Sequence, residues 1–177
     1  GEVPVIRMGN IVDGSLDMTE LKFLPSAHEE FPDLLLEPGD LLFNRTNSPE
    51  LVGKVAIVGQ DVPMLFASYL IRLQFAGSVL LSSYACYWLE CPWGREWART
   101  VRTDGVSQSN INASLLKAMP IPLPDIKEQH EIVRRVRALL SIADTIEHRT
   151  NAALTRAEKL PQAILSRAFA GELVPTE

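Results

Sequence analysis

Nine residues in the last third of the chain, Ile132, Val136, Leu139, Ala143, Ile146, Thr150, Ala153, Ala157 and Leu160, recur at alternating steps of four and three. A helix that keeps its apolar positions on this period lines them along one narrow seam, which a second helix can cover. Asp125 and Glu128 fall in what would be the first turn, where a carboxylate favours the positive end of the helix dipole. The spacing predicts one helix from Asp125 to about Leu160. At 1.5 Å per residue it would run roughly 50 Å, too long to fold back throughout on a small domain. Pro161 is expected to interrupt or kink it. A shorter amphipathic segment, QAILSRAF, then ends at Gly171, a natural C′ residue.

Across the Pro-rich segment MPIPLPD (Met119–Asp125) the period changes. Val3–Met8, Asp40–Thr46, Gly53–Gly59 and Phe66–Phe75 read as strands from their β-branched and aromatic content, and Pro38-Gly39 as a turn. In the last of these, Tyr69, Ile71, Leu73 and Phe75 alternate with Ser68, Leu70, Arg72 and Gln74, as in a half-buried strand. From Ser78 to Glu90 a buried helix fits better, with Ser78 as its N-cap, and Pro92 opens a second helix, WGREWARTVR. Residues 103–110 read as a loop, after which Asn112 caps a short helix through Met119. The fold class is α+β: a mixed strand and helix domain over residues 1–124, followed by a coiled-coil-forming helical region over 125–177.

The constellations that would make such a chain an enzyme are missing. Neither GxGxxG nor GxxxxGK[ST] occurs, so nucleotide binding has no support. His28, His130 and His148 are dispersed, the last two 18 residues apart, and form no metal-binding face. Glu29, Glu30 and Asp33 lack the companion lysine of a nuclease site, and no Asn-Pro-Pro-Tyr or Asp-Pro-Pro-Tyr stretch is present to hold a flipped base. No catalytic residue, metal or cofactor is therefore expected. Cys86 and Cys91, five apart, match neither a zinc ribbon nor a redox CxxC and read as core thiols of a reducing compartment. The longest uncharged stretch, Leu73–Leu89, carries Gln74, Gly77, Ser78, Ser82 and Ser83, so no membrane span is expected. The opening GEVPVIRM has neither a basic n-region nor an apolar h-region, and a cytoplasmic piece of a longer protein is the expectation.

Two polar sets remain. FNRTNSPELVGK places Arg45, Asn47 and Lys54 around a loop between two strands, and Arg and Asn have bidentate geometry for guanine and adenine edges. The same loop is equally a solvated hairpin with Asx-turn hydrogen bonds. Arg95, Arg99 and Arg102, spaced by four and three, share one helical face leading into Ser107 and Gln108. That face suits phosphate contacts, and pairing with Glu96 or Asp104 explains it nearly as well. Residues 1–124 hold 9 basic against 14 acidic residues and 125–177 hold 8 of each, so the whole formal charge of −5 falls on the α+β domain. Nucleic-acid binding there needs locally focused positive charge.

Taken in order, VPVIRMGNI (Val3–Ile11), EPGDLLFNRTNSPELVGK (Glu37–Lys54), SQSNIN (Ser107–Asn112), PIPLPDIKEQHEIV (Pro120–Val133) and KLPQAILSRAFAGELV (Lys159–Val174) carry a resemblance. The chain resembles the specificity (S) subunit of type I restriction-modification enzymes over one target-recognition domain and the conserved region after it. The resemblance implies a non-catalytic subunit whose α+β domain reads half of a bipartite double-stranded DNA site. Its helix would pack against a counterpart along Ile132, Val136, Leu139, Ala143, Ile146 and Ala153, and dock methyltransferase (modification) subunits. A separate restriction subunit would join the full complex, and S-adenosylmethionine would be bound by the methyltransferase partner. Full S subunits carry two recognition domains and two such helices, whereas this chain has one of each and lacks the usual stretch before the first strand. Both departures fit a C-terminal half, or a half-length S protein working as a dimer. A coiled-coil protein-interaction adaptor is the other reading and accommodates the acidic charge. DNA retention that weakens steeply with salt separates the two.

Overall fold

The computed structural model describes residues 2–25, 31–59 and 62–173, which leaves His28 and the Glu29-Glu30 pair outside the described residues. The chain forms two compact units, residues 1–133 and 134–177. The first contains β1 (Glu2–Ile6), β2 (Ile11–Val12), β3 (Ser15–Leu16), β4 (Lys22–Pro25), α1 (Phe31–Leu34), β5 (Leu41–Asn44), β6 (Thr46–Asn47), β7 (Val55–Ile57), β8 (Leu65–Phe66) and β9 (Leu70–Leu73). It continues with α2 (Ser82–Glu90), α3 (Pro92–Val101), β10 (Thr103–Asp104), β11 (Ser109–Asn110) and α4 (Ala113–Lys117), and the long α5 (Ile126–Phe169) begins in it. The architecture is α+β.

Its centre is the antiparallel sheet β7–β5–β9. All four residues of β5 are buried, and their alternation feeds two cores. Leu41 and Phe43 pack with Val55, Ala85, Leu89, Ala98 and Ile111, on the side of α2 and α3. Leu42 packs with Ile6, Ile11, Ala56, Val58, Met64 and Leu70. A sheet covered on both faces explains one departure from the sequence reading. The segment Phe66–Phe75 is two strands: β8 runs parallel to β1, while β9 pairs with β5. Leu70, assigned by alternation to the outer face, is 3% exposed in the second core, while Ile71, Leu73 and Phe75 pack on the first. Alternation marks inside from outside only when one face meets water.

A second departure concerns α2. It starts at Ser82, with Leu81 in the capping position and no side-chain cap of its own; Ser78 does not cap it. The cap comes from far along the chain. Gln129, on the first turn of α5, is fully buried and accepts the Leu81 N–H at Oε1 (3.0 Å). Its Nε2 donates to the carbonyls of Val79 (2.8 Å) and Pro124 (2.9 Å). One amide thus closes the start of one helix and the entry to another.

Other local signals act as expected. Pro92 is the first residue of α3, and Asn112 caps α4 by accepting the Leu115 N–H at 2.9 Å. Glu128 lies in the first turn of α5 as expected, whereas Asp125 stands just before the helix and caps it, its Oδ1 accepting the N–H groups of Lys127 and Glu128, both at 2.9 Å. At Pro161 the expected interruption is corrected: α5 continues through it for 44 residues in all. A proline costs one intrahelical hydrogen bond, and here it does not end the helix. The end comes at Gly171 (φ 78°), where Glu172 N–H reaches the Arg167 carbonyl at 3.0 Å.

Both thiols are unbridged, Cys86 buried and Cys91 half-buried. Burial pushes the Cys86 thiol up to about 12, so it stays protonated and inert at neutral pH. Among the described residues, no helix is long and apolar enough to cross a membrane. In the second unit the seam is uncovered: Leu139, Ile146 and Leu160 are each more than half exposed.

Candidate nucleic-acid interface

The two polar sets singled out in the sequence meet in space. Residues 103–110 are not a plain loop: β10 and β11 form a hairpin with Asp104 opposite Ser109. β11 in turn pairs antiparallel with β6, which puts Ser109 opposite Asn47 and Asn110 opposite Thr46. The three-stranded ribbon β10–β11–β6 therefore joins the loop after Asn44 to the turn that carries Ser107 and Gln108. Asn110 Nδ2 donates to Thr46 Oγ1 at 2.7 Å across the strands. Asp104 accepts the Ser109 hydroxyl and the Arg102 guanidinium. These contacts, the Ser109 hydroxyl first, hold the Asp104 carboxyl below its ordinary range.

The loop beyond β6 is wound tightly. Leu51 and Val52 N–H both reach the Ser48 carbonyl at 3.0 Å, and Asn44 exchanges backbone hydrogen bonds with Lys54 and Gly53 at 2.8 Å each. Val52 is buried in the first core. At Gly53, φ is 84° and a Cβ would stand 3.0 Å from that of Ala98, so a side chain there would be strained and crowded.

Here the structure divides the three arginines. α3 ends at Val101 and Arg102 leaves it with extended backbone, so the expected single helical face is corrected to two roles. Arg102 Nη1 donates to the Pro49 carbonyl and Arg95 Nη2 to the Glu50 carbonyl, each at 2.8 Å. Arg102 is also ion-paired with Asp104 at 2.8 Å. The two side chains brace the 48–54 loop against α3 and the hairpin. Of the three, Arg99 faces outward, 63% exposed, and among the described residues it pairs only with Glu96, at 3.2 Å. Such exposed pairs contribute little, so the guanidinium is available to another anion.

Arg45 is half-buried and fixed through its backbone, N–H to the Tyr69 carbonyl (3.2 Å) and carbonyl to the Ile111 N–H (2.9 Å). Its Nε is buried without an acceptor among the described residues. Asn47 accepts the Ser48 N–H at Oδ1 (2.8 Å), a local bond that leaves a second lone pair and the amide N–H groups for other partners. Lys54 is half-buried, and Ser107 and Gln108 stand exposed at the hairpin turn. Sequence reasoning missed the Thr46–Asn110 lock and the fully exposed Val106 between Gly105 and Ser107. Small polar residues flanking a Gly-Val pair are the hairpin signal that could have found them.

Among the described residues no cluster of three or more His, Cys, Asp or Glu could hold a metal. A shallow cleft of about 410 Å³ is lined by Arg7 and residues 18–23, none of which belongs to the ribbon. What the ribbon can do is present polar side chains from three short strands and one turn, on a support braced by arginines. Its β10–β11 hairpin is a two-stranded ribbon, one of the elements that the DNA major groove admits.

Comparison with known proteins identifies the family and the fold. The family described as type I restriction modification DNA specificity domain matches residues 1–156. The EcoKI specificity subunit of Escherichia coli K12 is 35% identical over 173 residues, covering 96% of this chain and 37% of that protein. The StySPI specificity subunit of Salmonella potsdam is 33% identical over 174 residues, covering 97% of this chain and 38% of that one. The chain thus spans a little over a third of the length of these curated relatives. Among solved structures, the HsdS subunit of Thermoanaerobacter tengcongensis shares the fold, with TM-score 0.70 and 17% identity over 94% of this chain and 43% of that one. A chain from a structural study of assembly and conformational transition in the type I R-M system gives TM-score 0.72 and 21% identity over 97% of this chain and 39% of that one. With the family model matching residues 1–156 and relatives above 30% identity along nearly the whole chain, this chain belongs to the type I restriction-modification DNA specificity domain family.

Proposed function

We propose that residues 1–124 read one half of a bipartite double-stranded DNA target, without catalysis of their own, and that the helical region associates with a counterpart and docks methyltransferase subunits. The observation that carries this reading is the pairing of β6 with β11, which sets Asn47 beside the turn of Ser107 and Gln108. The family match leaves the adaptor reading with only the acidic charge in its favour. A methyltransferase partner would supply much of the phosphate neutralisation that a domain carrying the whole −5 lacks. Co-expression of the complete subunit with its methyltransferase, followed by mapping of methylated adenines, tests the proposal. Methylation confined to one bipartite sequence is the expected result; methylation independent of this subunit would sink it.

Two classes of variant should separate in the assembled methyltransferase. Arg99→Ala is expected to weaken all DNA sites alike and to lower the salt slope by about one, because a phosphate contact carries no sequence information. Arg45→Ala and Asn47→Ala should instead cost roughly 1–3 kcal/mol at the cognate site and relax its discrimination. Arg102→Ala belongs with the second class, since it releases the Pro49 carbonyl and Asp104 together. Binding titrations against cognate and scrambled duplexes at several salt concentrations read both effects; four silent variants with unchanged circular dichroism would place the interface elsewhere.

A further inference from the structure

The hairpin that joins β10 to β11 ends in a residue that its own stability does not need. Val106 has a relative exposure of 111%, so its isopropyl group lies wholly in water and contributes nothing to either core. A β-branched apolar residue is also a poor choice for a turn, where Gly, Asn, Asp and Ser have specific local advantages. The turn beneath it is nevertheless built firmly. Gly105 N–H donates to the Gln108 carbonyl at 2.8 Å, and Asp104 beside it is tied to Ser109 and Arg102. A Cβ at residue 105 would stand 2.9 Å from that same carbonyl oxygen, so the closure requires glycine. A rigid turn thus lifts one aliphatic group away from the domain, flanked by the exposed polar Ser107 and by Gln108, beside the strand that carries Asn47.

We infer that Val106 is a specificity-determining residue whose isopropyl group packs on the 5-methyl of a thymine in the major groove. This rests on the DNA-reading role proposed above. Three observations favour a methyl over the other base-edge groups. The side chain has no donor or acceptor, so only an apolar partner rewards its desolvation. The thymine methyl is the apolar group that the base edges present in the major groove. The neighbours Ser107, Gln108 and Asn47 are hydrogen-bonding types that can read the base pairs on either side.

The test removes the methyl from the DNA and the isopropyl group from the protein, singly and together. The complete subunit with its methyltransferase is titrated with duplexes of the mapped target in which each thymine of one half-site is replaced in turn by deoxyuridine. At one thymine the wild type should lose about fourfold in affinity, the worth of one buried methyl-sized group. Val106→Ala should lose about as much on the natural duplex, and the deoxyuridine at that position should cost it nothing more. The inference is overturned if every deoxyuridine substitution weakens wild type and Val106→Ala by the same factor, or if Val106→Ala binds as the wild type does. A half-site without thymine on either strand overturns it as well. A Val106→Ala loss that is uniform over unrelated sequences also overturns it, because it marks a non-specific wedge. Failure of the wild type to prefer the mapped target over scrambled DNA has a different meaning: it removes the underlying DNA-reading role, and this inference with it.

Discussion

Gln129→Leu is expected to lower the stability of the first unit by about 3 kcal/mol, because a near-isosteric apolar side chain there satisfies none of three backbone groups. The Leu81 N–H loses its acceptor, and the carbonyls of Val79 and Pro124 lose their donor. Against a total of about 5–15 kcal/mol this is a large fraction, and the urea midpoint should fall accordingly. Gln129→Glu is the informative companion. Its carboxylate could still accept from Leu81, but when ionised it would face two carbonyl oxygens with no proton to offer. Its folded-state pKa should therefore lie above the unfolded value, and the stability held by the protonated form is lost as pH rises through the folded pKa. The gap between Gln129→Glu and wild type should narrow as the pH is lowered toward about 4, the ordinary glutamate range. Wild-type urea midpoints for both variants at neutral pH would show that α2 needs no such cap.

Leu139→Asp is expected to abolish self-association through the helical region. In the second unit Leu139 is 67% exposed and Ile146 59%, and Leu140, Ile142 and Leu154 widen the same stripe. An apolar stripe of that extent marks an association surface. With a second copy laid along the seam, light scattering should give about twice 19.6 kDa. An unpaired carboxylate at residue 139 of each copy would be buried twice per dimer, at several kcal/mol each. Every 1.4 kcal/mol is a factor of ten, so the affinity should fall by at least about a thousandfold. Arg137→Ala, two residues away and on the opposite side of the helix, should leave the mass unchanged. A wild-type monomer at high micromolar concentration, or a Leu139→Asp dimer, would refute the seam.

Residue types and their spacing specify the features whose partners lie a few residues apart. The four-and-three spacing determines the helix that became α5, Pro92 begins α3, and the Asn112 side chain caps the turn that follows it. Each of these is a contact within one or two helical turns, so the residue types and their spacing suffice. The ordered motifs from Val3 to Val174 likewise carried the family, and residue type and spacing picked out the polar residues worth watching. How those residues are placed depends on contacts between distant parts of the chain. The pairing of β6 with β11 joins positions some 60 residues apart, and Gln129 caps a helix 48 residues upstream. Arg95 and Arg102 share the spacing of a basic face, yet the carbonyls of Glu50 and Pro49 take them into the scaffold and leave Arg99 outside. The break between β8 and β9 was hidden for the same reason, since a strand buried on both faces shows no one-sided alternation. Spacing along the chain specifies which side chains share a face. Which backbone group lies opposite that face is set by long-range register and by the burial of both cores, and no local pattern encodes it.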